Sequence, residues 1–432
     1  MKSRSALQFV LIIGIVNFFA DFTYEGARGI VGPFLGSLGA SAAIVGFVAG
    51  FGELLGYGLR SFSGYFADKS QRHWAFAFVG YAINMLAVPA LALAGQWPLA
   101  SGLVVAERIG RGIRKPTVEA MLSYASKSIG AGWVFGLNEA LDQAGATIGP
   151  LLMALILYLN HGFRTGFGVL LIPALCCLAI LVVARQLHPQ PHELEEGAGH
   201  ALVTTDLTRA YWIYLAAGVL IAAGLADFAL IGFHFHKANI VSAELIPVFY
   251  AVAMASSALA SIPLGRLFDR FGANVSLFAF VVSAAAAPFV FLGSTVFALI
   301  GMIFWGIGMS AQGSLFQAVM TGVIPPQKRS TAFGLFDTGY GIAWFIGSVI
   351  MVRQIGHGRG ALFDDSSACR DSCYFYREPS ALNIHGSVRK TQRAKHRSAP
   401  AQDPARVAVC GAANTARTSG GEARSRRRAS RD

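Results

Sequence analysis

Asp21, Glu25 and Arg28 follow one another at i, i+4 and i+7 in an otherwise apolar stretch, residues 7–32, with Tyr24 beside them. On a helix that spacing puts all three charges on one face. Glu53 and Arg60 repeat the i, i+7 spacing in residues 43–66, and Glu139 and Asp142 stand three apart in residues 132–158, adjoined by Asn138 and Gln143. A charged side chain near a bilayer centre costs roughly 2.5–3.5 kcal/mol on insertion scales, so such stripes should face a bundle interior and not lipid. Carboxylates placed there can bind and release a proton or hold a cationic solute. The structural alternative is charge pairing that only orients helices. Asp227 stands almost alone in residues 210–233.

The run "ERIGRGIRKP", residues 107–116, concentrates one acid and four cations in a fourth apolar stretch. It divides into three parts on spacing alone. Glu107 and Arg111 form an i, i+4 pair that can cancel locally. Arg114 and Lys115 fall near the end of a 20-residue span opened by Pro98, where long side chains can snorkel to lipid phosphates. Arg108 is left near mid-span as a partner for the acids of the first, second and fifth stretches.

The chain around these residues is built for a bilayer. Of its 432 residues 54% are hydrophobic and only 13% charged, against about 25% charged in a soluble chain. A span needs about 20 mainly apolar residues. Eleven helices are expected, at 7–32, 43–66, 74–94, 98–120, 132–158, 166–185, 210–233, 245–266, 274–293, 295–321 and 331–352. Met1–Ser5 carries Lys2 and Arg4, but the apolar run continues without a small-residue cleavage site, so the first span is expected to stay as an anchor. The longest polar connection, 186–209, separates a six-helix bundle at 1–185 from a five-helix bundle at 210–352. With the N-terminus inside, Lys2, Arg4, Lys69, Arg72, Lys127, Arg185, Arg209, Arg266, Arg270, Lys328 and Arg329 fall in inner loops and ends, and only Arg164 and Lys237 outside. That bias sets a cytoplasmic N-terminus and linker.

The two halves repeat. Ala20-Asp21-Phe22 returns as Ala226-Asp227-Phe228, Gly64-Tyr-Phe-Ala-Asp68 as Gly265-Arg-Leu-Phe-Asp269, and Phe135-Gly136-Leu137 as Phe333-Gly334-Leu335. The same order at nearly the same offset indicates duplicated halves. The loop Gly64-Tyr-Phe-Ala-Asp68-Lys-Ser-Gln-Arg72-His73, with its second copy Gly265–Gly272, resembles the G-x-L-A-D-R-x-G-R-[RK] loop of the major facilitator superfamily. The resemblance covers about residues 7–352. It implies an all-α membrane fold of two pseudo-symmetric six-helix bundles, here with eleven helices and the twelfth absent after Met351. It also implies that Gly64, Asp68, Arg72, Gly265, Asp269 and Gly272 gate the conformation. Physically, Asp68 and Asp269 can accept hydrogen bonds from Arg72 or from a neighbouring helix N-terminus, contacts that must break when the halves rock.

Two further elements resemble the family's drug/proton antiporters. Gly145-Ala-Thr-Ile-Gly149-Pro150 matches their G-x-x-x-G-P, which packs helices closely and bends one; Leu151-Leu152-Met153 follows in place of further glycines. Arg108-Ile-Gly-Arg111-Gly112 matches R-x-x-Q-G with Arg111 in place of glutamine. That extra cation leaves anionic cargo open.

Residues 353–432 break the pattern. They hold sixteen Lys and Arg against seven Asp and Glu, most of the chain's net charge of +12, and end near Arg426-Arg427-Arg428. A natural basic tail is one reading; the abrupt change in mid-helix favours an out-of-frame translation that replaced the last span and left an inactive product. No metal site is expected: His234 and His236 at i, i+2 diverge on a helix, and the five cysteines have no framework spacing. Gly110-Arg-Gly112 and Gly130-Ala-Gly132 are not phosphate loops. No cofactor beyond a proton or ion gradient, and no nucleic-acid partner, is expected. The sequence therefore points away from an enzyme. It points to a monomeric inner-membrane secondary transporter moving a small solute by alternating access, with proton-coupled export leading. Uptake of a small anionic solute and a membrane sensor on the same fold are the alternatives.

Overall fold

The computed structural model describes residues 2–159, 161–195, 207–242 and 245–357. Every regular element among them is helical. The first half holds α1 (Lys2–Ser37), α2 (Ala42–Ser70), α3 (His73–Ala90), α4 (Trp97–Ile129), α5 (Ala131–Tyr158), α6 (Phe163–Val169) and α7 (Leu171–Leu187). The second holds α8 (Arg209–Gly224), α9 (Phe228–Lys237), α10 (Ile246–Phe271), α11 (Asn274–Ala284), α12 (Ala286–Leu292), α13 (Thr295–Ser310), α14 (Phe316–Val323) and α15 (Arg329–His357). Nine helical stretches among the described residues are long and apolar enough to cross a membrane. The charged α4 and the interrupted pair α8–α9 bring the expected eleven.

Local chemistry sets the ends. Ser41 caps α2 by accepting from the Ile44 N–H, Thr208 caps α8 by accepting from the Tyr211 N–H, and Pro98 and Pro247 occupy first turns where no N–H is needed. Gly130 and Gly272 close α4 and α10 with φ of +96° and +69°, values that favour glycine.

The sixth and ninth expected spans are divided by single turns at Leu170 and Ala285, and three others differ more. The seventh is broken at Leu225–Asp227, where the backbone turns extended after Gly224. The tenth carries a π turn at Ala311–Leu315 between α13 and α14. The fourth runs on to Ile129, nine residues past the expected end, because its charges turn into the protein and do not mark a lipid boundary. The polar connection is described only to Glu195 and from Leu207; α15 runs past the expected change after Met351 as far as His357, and residues 358–432 of the expected tail lie outside the described residues.

The packing shows how the halves meet. One buried apolar cluster, including Phe9, Tyr81, Phe135, Tyr211, Phe316 and Phe333, draws on both halves at the end that carries the α2–α3 loop. At the opposite end the halves have separate cores. One is built around Phe34, Leu91, Met153 and Phe167, the other around Phe235, Phe249, Met302 and Trp305. The bundle is thus closed at the loop-motif end and divided at the other.

Candidate functional site: a charged cavity between the halves

Close glycine contacts bring the first-half helices together around the cavity. Gly145 and Gly149 of α5 lie against the backbone carbonyls of Phe18 and Phe22 in α1, so a Cβ at either position would overlap backbone. This presses the Asp21 and Glu139 faces toward each other. Gly112 lies in the same way against the Gly56 carbonyl, 2.5 Å from its built Cβ, and fixes α4 on α2.

The central cavity, about 230 Å³, is lined by seven acids and five cations. The acids are Asp21, Glu25, Glu53, Glu119, Glu139, Asp142 and Asp337; the cations are Arg28, Arg60, Arg111, Arg114 and Lys115. Each cation has an acid. Arg28 Nη1 lies 2.9 Å from Glu25 Oε1, Arg60 Nη1 is 3.1 Å from Asp337 Oδ2, and Arg111 Nη2 is 3.1 Å from Glu53 Oε2. Arg114 Nη2 is 3.7 Å from Asp21 Oδ1 and Lys115 Nζ is 3.9 Å from Glu119 Oε1. Among the described residues Glu139 and Asp142 make no ion pair. Glu139 Oε1 accepts from Gln143 Nε2 at 2.8 Å, and Asp142 Oδ1 is buried without a hydrogen bond. Aromatic rings from the second half, Tyr250, Trp305, Phe336, Tyr340 and Trp344, close the opposite wall.

A second, mostly apolar chamber of about 840 Å³ adjoins it at the divided end, lined by Phe47, Phe51, Leu54, Ile342, Trp344 and Phe345 together with Arg28, Glu53, Arg108 and Asp227. The repeat thus places Asp21 in the central cavity and its counterpart Asp227 in the other chamber, at the break between α8 and α9.

Charges of α4 pair differently from their spacing. Glu107 and Arg111 do not meet: Glu107 accepts from Asn84 Nδ2 at 2.9 Å and lies 3.2 Å from Arg108 Nε, while Arg111 reaches across to Glu53. Arg108 also joins Glu53, at 3.2 Å, but not the acids of α1 or α5. Arg114 is no interfacial anchor. Its side chain is buried, donates to Asn84 and Asn17 at 3.2 Å, and lies over the Tyr81 ring. Asn17, in turn, donates to Asn138 at 2.8 Å and accepts from the Tyr81 hydroxyl. These partners come from α1, α3 and α5, so helix rotation and not spacing along α4 decides them.

At the closed end both loop aspartates sit on helix N-termini of the opposite half. Asp68 accepts from the Ser330 and Thr331 N–H groups at 3.2 and 2.6 Å and from the Thr331 hydroxyl at 2.7 Å. Asp269 accepts from the Gly132 and Trp133 N–H groups at 2.8 and 2.7 Å. The helix N-terminus, not Arg72, is the partner; negative charge is stabilised there by unpaired N–H groups. Gly64 packs on the Ser330 carbonyl and Gly265 on the Gly132 carbonyl, leaving no room for a side chain. Gly272 ends α10 beside the second contact.

Sequence reasoning missed Asp337, Glu119 and Glu195. Asp337 is the only acid of residues 331–352, so the cost of intramembrane charge could have singled it out. Glu195 was legible only as part of an acidic linker.

Two helical halves held together by reciprocal aspartates around one charged cavity are the architecture of a membrane transporter and not of an enzyme. The sequence profile of the Major Facilitator Superfamily matches residues 13–348, and the chain belongs to that family. An uncharacterised protein of Mycobacterium tuberculosis is 36% identical over 345 residues, 78% of this chain and 84% of its own. An uncharacterised MFS-type transporter of Methanocaldococcus jannaschii is 26% identical over 361 residues, covering 81% of this chain and 89% of its own. In fold the chain is similar to the human organic anion transporter MFSD10, with a TM-score of 0.63 at 13% identity, over 80% of this chain and 92% of that one. It is similar too to the proton:xylose symporter XylE, with a TM-score of 0.60 at 15% identity, over 84% and 92%. The chain is a multi-pass membrane protein of secondary transport that takes small-molecule substrates.

Proposed function

We propose that the protein exports a small, positively charged solute in exchange for protons, with Glu139 and Asp142 as the exchange site. The observation that carries this reading is the charge balance of the cavity: every cation is paired, and the surplus is two neighbouring carboxylates. A proton and an organic cation can compete for that pair, which is the minimum an antiport needs. The aromatic wall of Tyr250, Trp305 and Trp344 suits a cation, since ring faces attract positive charge by about 0.5–2 kcal/mol. Export as the direction rests on the likeness of residues 145–150 to the antiporter element. The excess of loop cations on one side supports a cytoplasmic N-terminus, and a monomer in the inner membrane is part of the same proposal. Uptake of an anion finds less support, because no arginine of the cavity is free of a carboxylate.

The test is solute-driven proton movement in proteoliposomes carrying an internal pH indicator, challenged with panels of organic cations and organic anions. A cation should release protons, and Glu139→Gln or Asp142→Asn should lower that flux at least roughly ten-fold, the effect of about 1.4 kcal/mol. Flux with anions alone, or flux unchanged in both variants, would overturn the reading.

A further inference from the structure

Glu139 belongs to the first half, yet its carboxyl group is seated on the backbone of the second. A Cβ built on Gly313 would overlap Glu139 Cδ and both of its oxygens. Gly313 sits in the π turn Ala311–Leu315, where the Phe316 N–H donates to Ala311 O, one residue further back than in an α-helix. With its amide oriented to satisfy both contacts, the Gln317 side chain donates to the Gln312 and Gly313 carbonyls at 2.9 Å each and holds the turn open. Turns of this kind are rare and concentrate at functional sites. The tenth span thus carries a local widening and a residue without a side chain where an acid of the other half lies.

We infer that the Gly313 π turn is the element of the second half that senses whether Glu139 carries a proton. The inference rests on the reading of Glu139 as a proton site and assigns how that proton is coupled to movement. With the halves in contact at Gly313, one side of the carboxyl group is covered by backbone, and Glu139 is buried although it borders the cavity. When they part, that side opens as well and the group exchanges its proton with water, the only bonds changed being O–H bonds of the carboxyl group and water. Charged groups around Glu139 and Asp142 are Asp21 from α1 and Arg114, Lys115 and Glu119 from α4. From α10 the cavity receives Tyr250 and Met254, from α13 Trp305 and Met309, and from the π turn and α14 only Gln312, Gly313 and Gln317. From α15 the cavity receives the acid Asp337, which is held by Arg60; the α10, α13, π-turn and α14 residues named here are uncharged, and seating depends on the protonation of Glu139 itself.

The experiment uses the full chain in lipid nanodiscs without solute, with spin labels at the exposed Leu93 and Val296, one in each half at the divided end. Distance distributions are recorded from mildly acidic to mildly alkaline buffer. The wild type should change its ratio of near to far separations with pH, and Glu139→Gln should not. Gly313→Ala should shift the ratio at least roughly ten-fold toward one population and remove its pH response. Glu139→Ala with Gly313→Ala should return to the distribution of Glu139→Ala alone, because the overlapping carboxyl group is gone. Gly322→Ala in the same span, where a Cβ meets nothing within 4 Å, should behave as wild type. If Gly313→Ala does not fold, recovery of folding by Glu139→Ala supports the contact, and failure in both backgrounds overturns it. A wild-type pH response in Gly313→Ala, or independent shifts that add in the double variant, would overturn the inference alone. A wild type without any pH response would overturn the proton reading beneath it.

Discussion

The two loop motifs make the same contact and are not equivalent. Asp68 is buried, accepts three hydrogen bonds from the start of α15, and has His73 Nε2 at 3.4 Å on its free side. Asp269 lies in an exposed position and accepts two, one of them, from the half-buried Trp133, open to solvent. Around the first contact Arg329, the first residue of α15, is fully buried and forms a two-point ion pair with Glu195 at 2.9 and 3.1 Å. Lys127 adds a third point at 2.7 Å, and the Arg329 guanidinium lies over the Tyr124 ring. Around the second, the Arg266 guanidinium lies over the Trp133 ring, but no buried ion pair joins it among the described residues. A duplicated motif has thus produced one dry, reinforced lock and one wet lock. The difference comes from the segment that follows α7, which brings Glu195 to Arg329 and Lys127.

The largest effect should come from the aspartates themselves. Removing Asp68 leaves two N–H groups and a hydroxyl at a buried helix end without an acceptor, at about 1–3 kcal/mol for each buried group left unmade. Water can replace Asp269. Asp68→Ala should therefore shift the closed-to-open balance at this end by roughly 2–4 kcal/mol and Asp269→Ala by about 1 kcal/mol or less. Spin labels at Lys69 and Phe271, exposed positions in opposite halves, read that balance directly. Equal shifts for the two variants would mean that burial and the linker contacts add nothing, and the asymmetry would be of sequence only.

How much of this was legible depended on whether a residue's partner was fixed by its own helix. The charged stripe of α1, the paired loop aspartates and the small-residue packing of Gly145 and Gly149 were readable because i, i+4 and i+7 spacing and motif repetition are local properties. Partners across helices were not. Arg114 was assigned to the lipid interface from its distance along the span, and the structure turns it to Asp21, Asn17 and Asn84. Rotation of α4 about its axis is set by Gly110 and Gly112 against α3 and α2, and no spacing within α4 reveals it. The break at Leu225–Asp227 and the π turn at Ala311–Leu315 leave the apolar pattern unbroken, so hydropathy reads each span as continuous. Glu195 was hidden for a different reason: a linker acid is ordinarily solvated, and only the fold brings Arg329 to it.

That pair sharpens the comparison at intermediate strength. Arg329→Gln leaves Glu195 buried with Lys127 alone, while Glu195→Gln leaves a buried guanidinium beside an amide. Breaking one partner of a buried pair costs about 3–5 kcal/mol when no other charge compensates. With Lys127 present on one side, Arg329→Gln should be the milder change, about 1–2 kcal/mol, and Glu195→Gln the more severe. Both should open the Asp68 contact and leave the Asp269 contact unaffected, read by accessibility of a cysteine introduced at Lys69 against one at Phe271. An equal response at both positions would show that the two locks open as one and that the linker holds the whole end.

The smallest effect lies where the linker begins. His188 follows α7 with its ring edge-on to Phe9 and its carbonyl accepting from Trp74 Nε1 at 3.1 Å. Its Nε2 is buried without a hydrogen bond. Burial lowers its pKa below the ordinary histidine value, the only cause acting on it. The folded chain therefore binds this proton less readily than the unfolded one, and folding loses stability as pH falls through the ordinary histidine range toward the lowered value. Above that range His188 is neutral in both states and contributes no pH dependence. His188→Gln should flatten the pH dependence of thermal unfolding on the acid side and leave the alkaline side unchanged. Because the segment from His188 to Glu195 carries the Arg329 pair beside the first lock, acidification of the wild type should loosen the Asp68 contact before the Asp269 contact. The reverse order would take the pH sensitivity of this end away from the linker.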